Sequence, residues 1–453
     1  MTTVVTTQSA PGALPLLGHA LQLGRAPLRF LTSLPAHGDV VRIRLGPWPA
    51  YVVCRPDLVQ RVLSDDHTFD KGGPFIDAFR TIVGNGLGLC SHQQHRRRRR
   101  LLQPAFHRAR LADYAAVMSE QIAAVIEPWH DGQVVDFPAV AHEFATTVAI
   151  RTLFAAGAST TDIAEIHQCV SAVLAGVHRR VLLPVPALDR IPTRGNLRFA
   201  RARRRLRQLT VRLVDRYRRA GIDHGDVLSL LLAARDERDE PLTDAEIHDE
   251  VVQFLLAGIE AMPPLLSWIW LLLDRHPDVR AELHAEVDTV LAGRIAHHDD
   301  LPHLEATPRI VAEALRLYPP GWIMTRTTTT GADLAGHHIP AGTTVVYSPY
   351  LAGRQGGDYT EPDRFDPGRW RTASPARGAF VAFGGGPRVC IGDRFATVQA
   401  TLAVASIAAR WRLHVVPGTR TDPVAHGVLA PRALPVRVRR RSVDPPQQKE
   451  EAR

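Results

Sequence analysis

One cysteine stands in a glycine-rich segment whose spacing favours chemistry at sulfur. The segment reads Phe383-Gly-Gly-Gly-Pro-Arg388-Val-Cys390-Ile-Gly392. Three consecutive glycines allow a tight turn in which backbone N–H groups point at the sulfur, and Arg388 adds positive charge nearby. A helical pattern follows, so Cys390 is predicted to lie at a helix N-terminus, where the dipole lowers a thiol pKa. Phe383 can shield the sulfur with its ring. The whole spacing predicts a thiolate that acts as a nucleophile or a soft metal ligand.

Two pairs of residues at helical spacing could hold or neutralise charge. In Glu313-Ala-Leu-Arg316 the two charged side chains share one face of a predicted helix. In His95-Arg-Arg-Arg-Arg99 the first and last residues do the same. Arginine suits bidentate binding of a carboxylate. Spacing alone is equally compatible with solvated surface pairs of little energetic value.

The longest apolar run, residues 251–273, is long enough to span a membrane. It contains Glu260 near its middle and the pair Pro263-Pro264. A carboxylate at mid-bilayer is costly, and proline removes backbone hydrogen bonds. The run is therefore predicted to be a long buried helix of a soluble protein, and we expect no membrane span.

The composition is that of a folded globular chain with a basic surplus. Its 453 residues are 45% hydrophobic and 22% charged, and arginine supplies nearly all the positive charge behind the net +9. The four cysteines form no CxxC pair, which argues against a disulfide framework or a zinc ribbon. The first eleven residues show no secretory pattern, so a reducing, cytoplasmic compartment is expected.

A basic surplus favours acidic partners, and nucleic acid is one alternative. An arginine-rich nucleic-acid-binding protein would need aromatic side chains or a docking helix beside its arginine run. Residues 94–103 contain no aromatic residue. We therefore expect no nucleic-acid partner.

Hydrophobic periodicity predicts a mainly α-helical fold with a small β part. The predicted elements are a hairpin at 39–53, a long glycine-rich loop at 72–88, helices over most of 91–300, a loop at 184–195, a helix at 307–317, and strands at 334–339, 343–348 and 413–416. No linker divides the chain, so we expect one domain over 1–441 and a frayed polar tail at 442–453.

The cysteine segment resembles the haem-ligand loop of the cytochrome P450 superfamily, the haem-thiolate monooxygenases. Phe383, Gly386, Cys390 and Gly392 meet the pattern of that loop. The resemblance covers about residues 10–440 and implies the single-domain fold of the family, a triangular prism of helices with minor sheets. It implies haem b as cofactor, O2 as co-substrate and Cys390 as the iron ligand, whose thiolate favours cleavage of the O–O bond.

The resemblance also gives the two charged pairs roles. It implies a buried network of Glu313, Arg316 and Arg369, the last supplied by Pro367-Gly-Arg369-Trp370, that supports the cysteine loop structurally. The residues implied to contact the haem or its propionates are His95, Arg99, Arg326, Phe383 and Arg388. The other arginines of the run, Arg96, Arg97, Arg98 and Arg100, are expected to form either a solvated face or a docking surface for an acidic redox protein.

Residues 257–264 resemble the oxygen-binding groove of the family's central helix. Gly258 would let a small molecule approach the backbone, and Glu260 would deliver protons. Ala261 departs from the pattern, because a threonine whose hydroxyl helps to steer protons is expected there. Pro263-Pro264 should open the helix and free carbonyls that hold a water in place of the hydroxyl. The departure leaves an alternative open, a haem-thiolate protein with peroxide-driven or non-oxygenating chemistry.

The segments at family substrate-contact positions are apolar and indicate a lipophilic ligand. They contain Phe75, Ile76, Phe79, Phe254, Trp322, Ile323, Met324, Val428 and Leu429. Ordinary core packing would explain each single residue equally well.

The segments Leu16-Leu17-Gly18-His19 and His37-Gly-Asp-Val-Val, with the overall pattern, resemble actinobacterial family members that oxidise terpene hydrocarbons. The resemblance implies hydroxylation of an unactivated C–H bond in secondary metabolism, with a sesquiterpene such as pentalenene converted at a methyl group to alcohol, aldehyde or acid. The chain carries no flavin or nicotinamide motif. Electrons are therefore expected from an acidic ferredoxin and its reductase, and the enzyme is expected to be a monomer.

Overall fold

Helices dominate the computed structural model, which describes residues 6–154, 159–182, 191–372 and 376–441. The α-helices are α1 (Ala20–Arg25), α2 (Pro27–Ser33), α3 (Pro56–Ser64), α4 (Gly73–Val83), α5 (His92–Leu102), α6 (Arg108–Ile126), α7 (Phe137–Phe154), α8 (Thr160–Leu182), α9 (Arg194–Ala220), α10 (Val227–Ala233), α11 (Asp244–Arg275), α12 (Pro277–Leu291), α13 (Ala306–Leu317), α14 (Pro349–Ala352) and α15 (Asp393–Arg410).

The strands lie mainly at the edge of this helical body. They are β1 (Val40–Leu45), β2 (Trp48–Val53), β3 (Phe69–Asp70), β4 (Val134–Asp136), β5 (Met324–Thr328), β6 (Ala332–Leu334), β7 (His337–Ile339), β8 (Thr344–Tyr347), β9 (Trp411–Val415), β10 (Pro423–His426), β11 (Val428–Pro431) and β12 (Pro435–Arg440). The largest sheet has the order β1-β2-β8-β5-β3, with β2 and β8 parallel. A three-stranded sheet β4-β12-β9 and the hairpins β6-β7 and β10-β11 complete the set.

The central helix α11 begins at a capping box. The Thr243 hydroxyl accepts from the Glu246 N–H, and the Glu246 carboxylate accepts from the Thr243 N–H. By length and composition alone α11 could cross a membrane, but 78% of its most apolar window is buried inside the protein. The apolar run thus forms a core helix, as its central carboxylate and paired prolines predicted.

The prediction that Pro263-Pro264 opens this helix was wrong. Helix α11 continues without a break through both prolines. Met262 and the residues up to Leu273 are all buried, so packing on their surroundings offsets the lost backbone bonds. The carbonyl oxygens of residues 259 and 260 still lack their usual donors four residues on, because proline has no N–H.

The glycine-rich region 72–88 is also not the long loop that its composition predicted. Residues 73–83 form α4, an amphipathic helix with proline in its first turn and glycine at both ends. Residues 84–90, between α4 and α5, form turns and bends but no regular helix or strand. The glycines therefore mark the boundaries of a helix and a tight connection.

Other elements agree with the prediction or correct it in detail. The hairpin at 39–53 and the helix at 307–317 are confirmed as β1-β2 and α13. The single strand expected at 334–339 is instead the end of β6, a turn and β7. Most of the predicted loop at 184–195 lies outside the described residues, while Arg194 and Gly195 already belong to α9. The predicted tail at 442–453 also lies outside them.

Candidate active site around Cys390

The Cys390 loop is a tight turn seated on the end of helix α3. Gly386 has φ +62°, and a Cβ added there would lie 2.1 Å from the carbonyl oxygen of Leu63, so only glycine fits. The Cys390 N–H donates to the carbonyl oxygen of Phe383 at 2.9 Å. The backbone of the loop is therefore fixed by hydrogen bonds and close packing that do not involve the sulfur.

The electrostatics of the thiol differ from the prediction. Helix α15 begins at Asp393, three residues beyond Cys390, and burial raises the pKa of the Cys390 thiol above its usual value. The N–H of Gly392 and the charge of Arg99 act in the opposite direction but do not outweigh burial. Arg388 is turned away and bonds to carboxylates instead. The sulfur still reaches open space, and a cationic metal would compensate the thiolate that burial disfavours.

The structure brings the predicted propionate partners together on one side of this loop. Arg99 donates to the carbonyl oxygen of Val389 at 2.6 Å. His95 is buried, and burial followed by the nearby charge of Arg388 lowers the pKa of His95 to about 4. Arg388 donates to Asp66 at 3.0 Å and to Asp70 at 2.7 Å. Arg388 therefore already has two carboxylate partners from the chain.

Two cations beside them, the buried Arg326 and the half-buried Lys71, have no carboxylate partner among the described residues. Neither forms an ion pair there; Arg326 donates to the carbonyl oxygen of Thr325 at 3.2 Å and to the Tyr347 hydroxyl. Burial, then Arg326 and Arg388, lower the pKa of Lys71 well below its ordinary range. Sequence reasoning missed Lys71, although it is one of only two lysines in the chain. The pair fits the carboxylates of an anionic cofactor.

The Glu313 network is fully assembled and buried. The Glu313 carboxylate accepts from Arg316 at 2.8 Å through both oxygens, and from Arg369 Nε at 2.9 Å. It also accepts from the Asp366 N–H at 3.0 Å and the Trp370 indole at 2.9 Å. Although burial opposes ionisation, these donors, Arg316 first, lower the pKa of Glu313.

Trp370 connects this network to the cysteine loop. Its ring packs edge-to-face on Phe380 at 5.0 Å between centroids, and Phe380 begins the segment that leads into the loop. Trp370 was not among the residues predicted for the network, though it directly follows Arg369 in the sequence. Through the Trp370 indole, the Glu313 carboxylate also holds in place the segment that leads to Cys390.

The face of α11 that meets open space is carried by two alanines. Ala257 and Ala261, one helical turn apart, are exposed in the middle of an otherwise buried stretch. Gly258 instead faces α7, where a Cβ added to it would lie 3.3 Å from Ala149. The small size of Gly258 therefore allows α11 and α7 to pack closely. The approach of a small molecule that was predicted at Gly258 is instead expected at the face formed by Ala257 and Ala261, the alanine face. Glu260 lies to the side, where its charge reaches His142 of α7.

The start of α11 holds the connection between α4 and α5 by side-chain bonds to backbone. Asp249 accepts from the Asn85 N–H at 2.8 Å, Glu250 from the Leu87 N–H at 2.9 Å and Gln253 from the Gly88 N–H at 3.0 Å. Gln253 also donates to the carbonyl oxygen of Gly84 at 3.3 Å. We call residues 84–90 the α4–α5 connection. It is pinned to the central helix along most of its length.

The arginine run on α5 contributes to the same contact, which overturns a surface role for part of it. Arg98 is buried and donates to Glu250 at 3.2 Å and to the Asn85 carbonyl oxygen. Arg97 donates to Asp236 at 2.6 Å and to Glu246 at 3.3 Å. Arg98 is thus occupied inside the protein, while Arg97 keeps 32% of its side chain exposed and is paired with two carboxylates. Arg96 and Arg100 are exposed, and Arg100 pairs with Glu237.

Glu250→Gln is expected to change how stability depends on pH. Burial raises the pKa of the fully buried Glu250 to about 7, in spite of the Leu87 N–H and the charge of Arg98. Because this pKa is above the unfolded value, the stabilisation is complete below about pH 4.5 and is lost as the pH rises through 7. The variant should therefore gain about 3 kcal/mol relative to wild type between pH 4.5 and pH 8.

Chemical denaturation of wild type and Glu250→Gln between pH 4.5 and pH 8 measures this difference in the free energy of unfolding. The contributions of the histidines cancel, because both proteins contain the same histidines. Glu237→Gln, at an exposed residue, is the matched control and should run parallel to wild type. Parallel curves for Glu250→Gln would contradict the prediction.

The predicted substrate residues divide into two groups. Phe254 and Phe79 are partly buried, and Phe254 packs edge-to-face on Phe106 with centroids 5.2 Å apart. Ile76, Ile323, Met324 and Val428 also keep some exposed surface. By contrast Leu429 is 0% exposed and Trp322 7% exposed, both in one core cluster on the sheet side, where packing accounts for them. The side chain of Phe75 lies outside the described part of the structure.

The donor set fits haem b. A cysteine sulfur faces open space at the end of a rigid loop, and unpaired cations suited to two carboxylates lie beside it. Ala257 and Ala261 supply a small apolar face on the central helix. These features would provide a ligand for iron, partners for the propionates and room for a small molecule.

Comparison with known proteins identifies the family of the chain. The sequence profile named Cytochrome P450 matches residues 9–436. Pentalenene oxygenase from Streptomyces avermitilis is 47% identical over 96% of this chain and 97% of its own length. Cyclooctat-9-en-7-ol 5-monooxygenase from Streptomyces melanosporofaciens is 44% identical over 91% of both chains.

Among solved structures, a cyanobacterial cytochrome P450 with bound retinoic acid aligns with a TM-score of 0.86 and 23% identity over 97% of this chain and 100% of that chain. A second P450 haem domain aligns with the same score at 24% identity, over 97% of this chain and 99% of its own. The fold class predicted from the sequence, mainly helical with small sheets, is thereby confirmed.

Proposed function

Because the chain belongs to the cytochrome P450 family, we propose that it hydroxylates an unactivated C–H bond of a cyclic terpene hydrocarbon, a sesquiterpene such as pentalenene. Membership makes it a monooxygenase with haem b as cofactor and O2 as co-substrate, acting with a redox partner on a small lipophilic molecule. The choice of a terpene goes further. The observation that carries it is the 47% identity to pentalenene oxygenase over nearly the whole of both chains.

The chemistry of the open face supports an uncharged substrate. Ala257, Ala261 and Phe254 present methyl groups and an aromatic ring. A hydrocarbon has no polar group to anchor, so its orientation must come from shape and apolar contact. The small alanines leave room for a polycyclic skeleton close to the central helix.

The chain's own residues divide the work of this reaction. When bound, haem supplies the redox centre that activates O2 and inserts one oxygen atom into a C–H bond. Cys390 would present the sulfur ligand, Phe383 would cover the loop, and Lys71 and Arg326 would neutralise the propionates. Glu260, next to Ala261 in the sequence, would deliver protons to the alanine face, and its charge acts on His142 of α7. Helix α11 excludes bulk water through its buried apolar residues.

The electron donor we propose is an acidic ferredoxin. The surface next to Phe383 forms a depression that is also lined by Arg108 and Arg394. A second depression is lined by Arg100 and Arg110. The exposed Arg108 and Arg394, beside Phe383, suit an acidic protein, because complementary charge speeds the encounter. Arg98 is buried and Arg97 is already paired with Asp236 and Glu246, so neither is part of this surface.

Turnover of a terpene panel tests the proposal. The holoenzyme is incubated with pentalenene and other cyclic sesquiterpenes, a bacterial ferredoxin, its reductase and NADPH under labelled O2. We expect a product carrying one labelled oxygen, and a haem spectral shift when the substrate binds. Reactions without ferredoxin are the control. Hydroxylation of fatty acids with no binding or product from any terpene would overturn the proposed substrate class.

Ala261→Thr tests whether the missing hydroxyl is compensated. The carbonyl oxygen of Ile259 has no N–H donor at Pro263, and we propose that a water held there takes the place of the hydroxyl. The fraction of electrons lost as hydrogen peroxide should then change by no more than about twofold, less than 0.5 kcal/mol. Peroxide release per NADPH consumed is the measurement. Far tighter coupling in the threonine variant would refute the compensation.

A further inference from the structure

The described surface carries an unusual group of exposed apolar side chains near the N-terminus. Ten large apolar side chains are exposed in the described residues, and half of them belong to one short segment and the hairpin turn beside it. These five, which we call the leucine–tryptophan patch, are Leu14, Leu16, Leu17, Leu21 and Trp48. Leu16 is 85% exposed and Trp48 53% exposed.

Backbone hydrogen bonds bring the two parts of the patch together. The Gly46 N–H donates to the carbonyl oxygen of Leu17 at 3.3 Å, and the His19 N–H donates to that of Arg44 at 2.8 Å. A Cβ added to Gly46 would lie 3.8 Å from the Leu16 carbonyl oxygen and 3.9 Å from the Trp48 ring. The leucine segment and the tryptophan therefore form one continuous surface at the tip of the β1-β2 hairpin.

The local backbone holds this surface outward. Leu16 has φ +62°, a conformation that L-residues other than glycine rarely adopt and that costs free energy. The cost is not recovered by burial of its own side chain, which remains in solvent. An exposed, strained leucine next to an exposed tryptophan indicates a contact made outside the protein.

The charges around the patch are all basic. Residues 1–38 contain no aspartate or glutamate, and neither does the β1-β2 hairpin at 40–53. Arg25, Arg29, Arg42 and Arg44 are exposed and form no ion pair with any described residue. Tryptophan and leucine flanked by arginine is the composition that favours the boundary between lipid headgroups and acyl chains of an anionic bilayer.

We propose that the leucine–tryptophan patch docks this enzyme on the surface of an anionic phospholipid membrane. Leucine side chains and the indole enter the headgroup region, while the four arginines contact lipid phosphates. The inference does not depend on which substrate the enzyme oxidises. Docking on the membrane places the enzyme beside the lipid phase, in which any hydrocarbon substrate dissolves.

Vesicle flotation of the holoenzyme tests the proposal. Wild type should bind vesicles of equal parts phosphatidylglycerol and phosphatidylcholine at about 0.1 M salt, and bind pure phosphatidylcholine at least about tenfold more weakly. The double variant Leu16→Ser, Leu17→Ser should lose at least about tenfold in apparent affinity. Val134→Ser, at another exposed apolar residue, is the matched control and should bind like wild type. An unchanged haem spectrum shows that each variant is folded.

Tryptophan fluorescence locates the contact. Brominated phosphatidylcholine in the anionic vesicles should quench Trp48, the most exposed tryptophan in the described residues, and Trp48→Phe should remove this quenching while keeping the binding. Trp48→Ser should weaken the binding itself.

Helix α9 provides the alternative anionic-surface contact, because it carries eleven arginines and one aspartate. Binding that is lost in Arg201→Gln, Arg204→Gln and retained in the leucine variants would overturn the proposal. So would an absence of vesicle binding. If the patch instead joined two copies of the chain, sedimentation would show a concentration-dependent dimer that the leucine variants abolish, which would also overturn it.

Discussion

Replacement of Cys390 by serine is expected to abolish monooxygenase turnover and the haem-thiolate spectrum. A serine hydroxyl does not ionise at neutral pH and lacks the soft, electron-rich sulfur on which oxygen activation depends. We expect a loss of at least about three orders of magnitude, equivalent to about 4 kcal/mol in the activation barrier. The reduced carbon-monoxide difference spectrum and ferredoxin-supported turnover are the two measurements.

The loop should remain folded in this variant, because its geometry comes from Gly386 and the backbone bond between Cys390 and Phe383. Loss of activity would then report chemistry rather than unfolding. Cys169→Ser is the matched control, since Cys169 lies on α8 away from the loop and should keep pigment and turnover. A serine variant that retained the thiolate spectrum would show that another residue binds the iron.

Glu313→Ala is expected to destabilise the holoenzyme by about 3–5 kcal/mol. The substitution leaves the buried guanidinium of Arg316 without its counter-charge and removes the acceptor for Arg369 and for the Trp370 indole. An uncompensated buried charge costs more than the attraction gained by the original pair. Denaturant unfolding followed by circular dichroism measures the change.

A second carboxylate, at the N-cap of the same helix, provides the control. Glu305 is exposed and lies 3.8 Å from Arg309, one turn along the helix. Glu305→Gln should change the free energy of unfolding by less than about 0.5 kcal/mol, because exposed pairs contribute little. If Glu313→Ala cost as little as this control, the network would have no structural role.

The sequence was most informative where function needs a fixed local pattern. The spacing from Phe383 to Gly392 located the loop because a tight turn around a sulfur needs glycine at set positions. Glu313 and Arg316 could be paired from their spacing on one helix. Their union with Arg369, 56 residues away, came from resemblance, since no local rule predicts it.

Contacts between distant segments were beyond local reasoning. Arg98 was predicted to be one of four arginines on a solvated or docking surface, but its partner Glu250 is 152 residues away on another helix. Lys71 belongs to no sequence motif. Its position in the site is revealed only by the charges of Arg326 and Arg388, which act on it in the folded chain. Gly258 was assigned to ligand access from its position in the groove, whereas its neighbour is Ala149 of α7. Such errors arise because burial is a property of the assembled fold.

Composition misled in two places where neighbouring residues decided the outcome. The glycines of 72–88 suggested a loop, yet those at positions 73 and 84 bound a helix whose interior contains none. Pro263-Pro264 suggested a broken helix, yet apolar burial on every side kept α11 continuous. Helix-breaking residues destabilise a helix by a few kcal/mol, and the burial of apolar side chains in a well-packed core can outweigh that cost.

The side chains of Asp249, Glu250 and Gln253 bind the α4–α5 connection to the central helix α11, so a displacement of one displaces the other. Downstream on the same helix, Trp268 donates to the carbonyl oxygen of Leu429 at 3.0 Å. Helix α11 therefore joins the α4–α5 connection to the hairpin β10-β11, and it carries Ala257 and Ala261 between these two contacts. A bulky substrate that displaced the connection would therefore act on the same helix that presents the two alanines.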